Sequence, residues 1–185
     1  MTIRAIAPHV GVCALGVLLA SSAVSHDDDR NRGDDKTRAG ELVKLVREST
    51  ARFRDPAAAE AEGYHLLFGC VSGPDGGAMG LHYVNLPLVA DGLLDATRPE
   101  IVIYEPLPNG RLRLIGADYL VFAADWDAKN PAPPQLEGQL MHLFEAPNRF
   151  GLPAFYTLHV WAWKDSPTGT FVNWHSKVSC DAFSG

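Results

Sequence analysis

The stretch FYTLHVWAWK, residues 155–164, is rich in aromatic and β-branched residues, a composition that is typical of a β-strand. Because side chains alternate between the two faces of a strand, the residues that share a face with His159 can be read from the sequence. They are Phe155, Thr157, Trp161 and Trp163. The alternation therefore predicts that His159 lies inside the protein or lines a cavity.

Similar β-rich segments follow one another along the chain after Gly63. They are residues 64–72, 80–85, 100–105, 111–124, 136–144 and 154–164, and the tail 169–180 is a candidate for a seventh. Asn109-Gly110 lies between the third and fourth segments, and an Asn-Gly pair in this position is typical of a β-hairpin. The sequence thus predicts a sheet of antiparallel strands.

Two helices are predicted before the strands. Residues 40–53 place apolar side chains on one helical stripe and charged side chains outward. In the next segment Asp55 is a good N-cap, Pro56 suits the first helical position and Gly63 supplies a stop. We therefore predict an α+β fold, with two N-terminal helices packed on a curved antiparallel sheet of six or seven strands, as a single domain over residues 39–185. The alternative is a closed β-barrel with N-terminal helices.

The N-terminus has the features of a secretory signal peptide over residues 1–25. Arg4 gives a positively charged start, an apolar run follows, and Ala-Val-Ser precedes His26 at the expected cleavage site. The apolar run is too short to span a bilayer. Residues 26–38 are charged and polar, which predicts a disordered leader. We therefore expect a secreted or periplasmic protein.

Composition narrows the possible partners and the compartment. The formal net charge of −6 argues against nucleic acid and against anionic membrane surfaces, since both favour basic patches. Cys70 and Cys180 remain after signal cleavage, and an even pair in an oxidising compartment predicts a disulfide. We expect the partner to be a small molecule or a metal ion, with no membrane contact after cleavage.

Three histidines lie in the middle of predicted strands, namely His82, His142 and His159. Their neighbours on the same strand face are apolar, small or aromatic, so the imidazoles should line an interior site. Imidazole is a good ligand for zinc, copper and iron. The sequence therefore predicts a site for a transition metal such as copper or zinc, in which Glu105 adds an oxygen ligand. The alternative for each histidine is an ordinary core position.

Aromatic side chains on the predicted strands indicate a pocket for a small apolar ligand. Trp161, Trp163 and Tyr83 are the expected walls, because such rings offer large apolar surfaces with one polar atom. The ligand is expected to enter beneath the loops 125–135 and 145–155. The alternative is an aromatic core without a pocket.

Asp118 shares a predicted strand face with Leu120 and Phe122. A carboxylate on an apolar face is costly unless it is paired, and its pKa should rise. Asp118 beside His159 would form a catalytic acid–base pair. The simpler interpretation of Asp118 is an ion pair with a nearby arginine or exposure at a strand edge.

Three segments carry a resemblance to other proteins. They are GAMGLHYVN (77–85), RPEIVIYEPLPNGRLRLIGADYLV (98–121) and FYTLHVWAWKDSPTGTFVNW (155–174). Through them the chain resembles a group of uncharacterised secreted bacterial proteins with GxHYVN and LHVWxW stretches. The resemblance implies a recurring fold, and it supplies neither an activity nor catalytic residues.

The leading interpretation is a secreted or periplasmic protein that binds a metal ion or a small apolar ligand in a pocket lined by histidine and tryptophan. The first alternative is a cofactor-free lyase or isomerase that uses Asp118 and His159. The second is a secreted domain that binds a partner protein through an exposed apolar surface around Phe150 and Leu152. The sequence has no Walker loop, dinucleotide-binding glycine motif or serine nucleophile elbow.

Overall fold

The computed structural model describes residues 25–73 and 76–185, with side chains described from residue 36 onward apart from that gap. Almost all of the predicted signal peptide, residues 1–25, lies outside the described residues. No helix within the described ranges is long and apolar enough to cross a membrane.

Helices precede the strands and also connect some of them. They are α1 (Ser25–Thr50), a 3-10 turn (Ala51–Arg54), α2 (Pro56–Ala61), α3 (Leu86–Asp91) and α4 (Ala123–Asp127). The predicted start of α2 is confirmed, because the Asp55 side chain accepts a hydrogen bond from the Ala57 N–H and Pro56 occupies the first turn. The short helices α3 and α4 were not anticipated from the sequence.

Helix α1 is longer than the sequence predicts. It begins at Ser25 and so includes residues 26–38, for which the composition predicts disorder. Its fully buried apolar side chains, Leu42 and Val46, lie in its C-terminal half. Once packing has nucleated that half, each further residue adds one hydrogen bond, so a helix can extend through a segment without apolar side chains.

The strands are β1 (His65–Gly73), β2 (Gly77–Val84), β3 (Ile101–Pro106), β4 (Leu112–Phe122), β5 (Gln135–Leu136), β6 (Gln139–Leu140), β7 (His142–Phe144) and β8 (Phe155–Val160). Six of them form a curled antiparallel sheet in the order β1-β2-β3-β4-β8-β7, and β5 pairs with β6 separately. The predicted α+β class and curved antiparallel sheet are confirmed. The alternative of a closed barrel is wrong, because β1 and β7 are free edges of an open sheet.

The predicted hairpin at Asn109-Gly110 is confirmed, since β3 and β4 are neighbours and Gly110 has a φ of 76°. The segment 136–144 forms parts of three short strands instead of one strand. Glu137 and Gly138 both have positive φ, 46° and 76°, and they turn the chain between β5 and β6.

The C-terminal tail is tied to the sheet in a different way from the one predicted. Residues 169–180 do not form a seventh strand, and one isolated bridge joins Ala78 to His175. The predicted disulfide is present and links Cys70 of β1 to Cys180 of the tail, 110 positions later. The disulfide, this bridge and hydrogen bonds such as the one from Trp161 Nε1 to the Val172 carbonyl fix a segment that lacks regular strand pairing.

The sheet has two buried faces with different contents. On the helix face, Tyr119 and Leu158 pack in one apolar cluster with Leu42 of α1. Because side chains alternate, the next residues along the same strands, Asp118 and His159, point to the opposite face. We call this opposite side the cavity face.

Candidate functional site

Three strands place His82, Asp118 and His159 together on the cavity face. They belong to β2, β4 and β8 respectively. The antiparallel register of β4 and β8 sets Asp118 directly opposite His159. His82 reaches Asp118 across one strand, β3, and reaches His159 across two strands, β3 and β4. The sheet therefore joins two histidines that are 77 positions apart in the chain.

The two imidazoles approach each other through their Nε2 atoms, which are 3.5 Å apart. On the other side of the His159 ring, Nδ1 lies 3.6 Å from Oδ1 of Asp118. Thr157 donates a short hydrogen bond to the same Oδ1 atom. One ligand atom from each of His82, Asp118 and His159 lies within 4.8 Å of the other two, and all three residues are buried. Two imidazoles and a carboxylate at this spacing are a donor set that can hold a transition metal.

Burial controls the protonation of this group. It lowers the pKa of His82 to about 4, an effect that His159 reinforces and Asp118 opposes. Burial likewise lowers the pKa of His159 to about 3, against the opposing influence of Asn173. The pKa of Asp118 rises to about 6 through burial, and His82 and Thr157 limit the rise. At pH 7 both imidazoles are neutral and Asp118 is mostly ionised, so the group presents nitrogen lone pairs beside one negative charge.

The three residues line a small cavity of about 40 Å³. Most of its other walls are apolar, and four of them are phenylalanines: Phe68, Phe144, Phe150 and Phe155. A cavity needs at least about 10–15 Å³ to hold one water molecule, so this cavity has room for an ion with one or two waters. The pocket is thus lined by histidine and phenylalanine rather than by histidine and tryptophan.

The predicted aromatic walls lie outside the cavity. Trp161 is adjacent, with its ring centroid 5.6 Å from that of His159, but it is not among the residues that line the cavity. Trp163 and Tyr83 both pack on the helix face. For Trp163 the physical reason is that β8 ends at Val160, where the strict alternation of side chains stops.

Two of the predicted metal ligands are not in the group that the structure brings together. His142 lies on the edge strand β7 with an exposed side chain, although it is close enough to lower the pKa of His159. Glu105 is buried, but its carboxylate is paired with Arg113 and Lys164. Alternation along a strand assigns a face, but it does not show which residues on that face are neighbours or which already have a partner.

The two loops expected over the pocket lie in different places. Phe150 and Leu152 of the loop 145–155 are half-buried and line the cavity. The loop 125–135 instead lies beside the helix face, where Trp126 packs against the apolar cluster. Because Phe150 and Leu152 cover the cavity, they do not form the exposed apolar surface that a protein-binding role would require.

Sequence reasoning missed Thr157 and Met79 as residues of the site. Thr157 had a signal, because it shares a strand face with His159 two positions away. For Met79 the sequence contained no such signal, since regular alternation in β2 would put this residue on the helix face with Leu81 and Tyr83. An irregularity of strand pairing places it in the cavity wall instead.

Phe68 stands at the outer end of the cavity in a strained backbone conformation. It has a φ of 66°, in the left-handed region that is a genuine outlier for a bulky residue. The side chain is 51% exposed and packs edge-on against Phe150, with 5.6 Å between ring centroids. Strain of this kind persists only where the surrounding structure holds it, and it is frequent at binding sites.

We expect Phe68→Gly to be more stable than Phe68→Ala by about 1 kcal/mol, because glycine alone accepts a positive φ without steric cost. Both variants lose the aromatic ring, so the comparison isolates the backbone conformation. Urea unfolding of the two variants beside the unaltered protein measures the difference. A higher stability of the alanine variant would show that position 68 is not strained.

Comparison with known proteins does not assign a role to this site. No protein-family model, no curated protein sequence and no solved structure matches the chain. The resemblance to secreted bacterial proteins with GxHYVN and LHVWxW stretches therefore stays a prediction. The function has to be argued from the geometry of His82, Asp118 and His159.

Proposed function

We propose that the protein binds a single transition-metal ion between the Nε2 atoms of His82 and His159. One observation carries this proposal, namely that these two buried atoms are 3.5 Å apart. Two nitrogens bound at about 2.0–2.1 Å to a tetrahedral zinc ion are separated by about 3.4 Å. The pair thus has the spacing of two corners of a tetrahedral coordination shell.

A hydrogen bond between the two imidazoles accounts for this distance less well. In N–H hydrogen bonds the heavy atoms are typically no more than about 3.2 Å apart. At 3.5 Å the two Nε2 atoms are beyond that distance, although they face each other in a site with little other polar surface. A cation between them would give both lone pairs a partner.

Asp118 supports the same function from the opposite side of the His159 ring. Histidines that bind metals usually direct their second ring nitrogen to a carboxylate or a carbonyl group, which fixes the tautomer and strengthens the ligand. Nδ1 of His159 lies 3.6 Å from Oδ1 of Asp118, which is beyond hydrogen-bond distance but within the range of an ionic attraction, and Thr157 holds that carboxylate by a hydrogen bond. The carboxylate also supplies the negative charge that a buried cation needs.

The proposed location is an oxidising compartment, either the periplasm or the exterior of the cell. The Cys70–Cys180 disulfide supports this location, because such bonds persist mainly where glutathione and thioredoxin do not keep thiols reduced. The predicted signal peptide over residues 1–25 also supports export to such a compartment.

A second candidate is the cofactor-free lyase or isomerase, in which Asp118 takes a proton from a substrate. Its support is a carboxyl group with a pKa of about 6 that lines the cavity beside His159. Against it, the pKa of His159 is about 3, so this imidazole is a poor proton donor at neutral pH. The metal site is therefore the function that we favour.

The test is metal stoichiometry. The mature chain, residues 26–185, is purified without a histidine tag, loaded with copper or zinc, freed of excess metal and subjected to elemental analysis. We expect about one equivalent per chain in the wild type, and a loss on the order of tenfold in His82→Ala and His159→Ala.

His65→Ala is the matched control, because His65 lies on β1 with an exposed side chain. It should retain the metal. Since removal of a buried histidine can unfold the chain, His159→Gln and circular dichroism show whether metal loss occurs in a folded protein. Absence of metal from the loaded wild type, or an equal loss in His65→Ala, would refute the metal site.

A further inference from the structure

A β-bulge directs Met79 into the cavity that holds the two histidines. In the pairing of β1 with β2, Val71 is opposite Gly80 and Ser72 is opposite Ala78, which leaves Met79 without a partner. A bulge of this kind re-aims a side chain, and bulges are common beside active sites. Met79 is only 2% exposed and lines the cavity together with His82 and His159.

The bulge is fixed by the residue that follows it. Gly80 has a φ of 89°, and a Cβ atom at this position would lie 2.6 Å from the carbonyl oxygen of Tyr104. Any residue with a side chain would therefore clash with the backbone of β3 and be strained in φ as well. The backbone of the sheet therefore determines that the Met79 side chain lies in the cavity wall.

Met79 is also set apart from the apolar core. Three apolar clusters account for most buried hydrophobic side chains in the described part of the chain, and Met79 belongs to none of them. Methionine often fills gaps in a core, where its thioether has no specific role. A methionine outside those clusters, in the wall of the cavity that the two imidazoles also line, has the setting of a ligand.

We propose that the Met79 thioether is the third ligand of the metal and that the site selects copper(I). This inference rests on the proposed metal site and identifies the metal ion that the site binds. A thioether is a soft ligand that suits copper(I), whereas zinc takes thiolate, imidazole and carboxylate. Two imidazoles and a thioether can surround a copper(I) ion without water.

The charge of the donor set favours the same ion. Histidine and methionine bind as neutral ligands, and Asp118 is the single carboxylate among the described residues that line the cavity. Copper(I) would balance this carboxylate and leave no net charge. A divalent ion would leave one positive charge in a mostly apolar cavity, and an uncompensated buried charge is strongly unfavourable.

The experiment compares copper(I) and zinc affinities of the mature chain. Copper(I) is titrated without oxygen against the chelator bicinchoninate, and zinc is titrated against a chromophoric chelator. Met79→Leu keeps the volume of the side chain and removes the sulfur. We expect it to weaken copper(I) binding at least about tenfold and to change zinc binding by less than about twofold. X-ray absorption at the copper edge should show a sulfur neighbour in the wild type and none in Met79→Leu.

Met141→Leu is the matched control, because Met141 is equally buried but lies in the apolar cluster of the helix face. It should leave both affinities unchanged. If the wild type binds zinc at least as tightly as copper(I), or if Met79→Leu behaves like Met141→Leu, the copper inference is wrong and the metal site stands. If the wild type binds neither metal, the proposed function itself fails.

Discussion

Removing the Cys70–Cys180 disulfide is expected to lower the free energy of unfolding by about 4–5 kcal/mol. The two cysteines are 110 positions apart, so the bond restricts most of the unfolded chain. In the chain-entropy model the stabilisation grows with the logarithm of the enclosed loop, and a loop of this size lies near the upper end of the usual range. A loss of this size is a large part of the total stability of a small domain.

Urea unfolding of Cys70→Ala/Cys180→Ala beside the wild type measures this effect. A thiol reductant serves as the control, because it should destabilise the wild type by a similar amount and leave the double variant unchanged. A difference below about 1 kcal/mol would show that the folded tail is held by its other contacts and not by the bond. Those contacts include the bridge from Ala78 to His175 and the buried side chain of Val178.

The second large effect is expected from Asp118→Asn, which should stabilise the apo protein at pH 7 although it damages the proposed site. Burial raises the pKa of Asp118 to about 6 in the folded protein, from an ordinary value of 3.8. Between these two values the folded chain binds the proton and the unfolded chain does not, so stability falls as pH rises through this window. The full cost of ionising Asp118 at pH 7 is about 3 kcal/mol.

Asparagine avoids this cost, because it is neutral at every pH and keeps an oxygen that can accept the hydrogen bond from Thr157. Urea unfolding at pH 7 should show the variant to be more stable by about 2–3 kcal/mol, and the advantage should vanish near pH 3.5. Asp165→Asn, at an exposed position, is the control and should have no comparable effect. Equal or lower stability of Asp118→Asn at pH 7 would contradict the raised pKa.

If removing a carboxylate makes the protein more stable, the carboxylate is present for function and not for stability. Functional sites often hold groups that the fold would be more stable without. Asp118 is expected to belong to this class, since its charge is unfavourable until a cation balances it. Metal loading should therefore narrow or reverse the stability difference between the wild type and Asp118→Asn.

Several features could be predicted because their causes lie within a few residues. Alternation over 155–164 placed His159 on one face with Thr157, and the structure has both on the cavity face. Asn109-Gly110 predicted the turn between β3 and β4, because glycine accepts the positive φ that such a turn needs. The high pKa of Asp118 was predicted from its apolar neighbours, and burial is indeed its largest cause.

The errors arise where the backbone departs from regular geometry or where distant elements meet. Met79 was missed because the predicted strand began only at residue 80 and because a bulge places this residue on the cavity face. Trp163 was misplaced because β8 ends three residues earlier. The partners of Glu105 come from β4 and from the segment after β8, so its ion pairs follow only from strand order. A one-residue irregularity moves a side chain to the other face of a sheet, and no local pattern shows it.

The sequence by itself determined the α+β class, the hairpin, the disulfide pair and the faces of individual strands. These features depend on local propensity, side-chain alternation and the count of cysteines, all of which are present before folding. Only the tertiary structure decided that His82 and His159 meet while His142 stays at an edge. The contact between those two imidazoles depends on the order and register of β2, β3, β4 and β8, which are set by packing of the whole sheet.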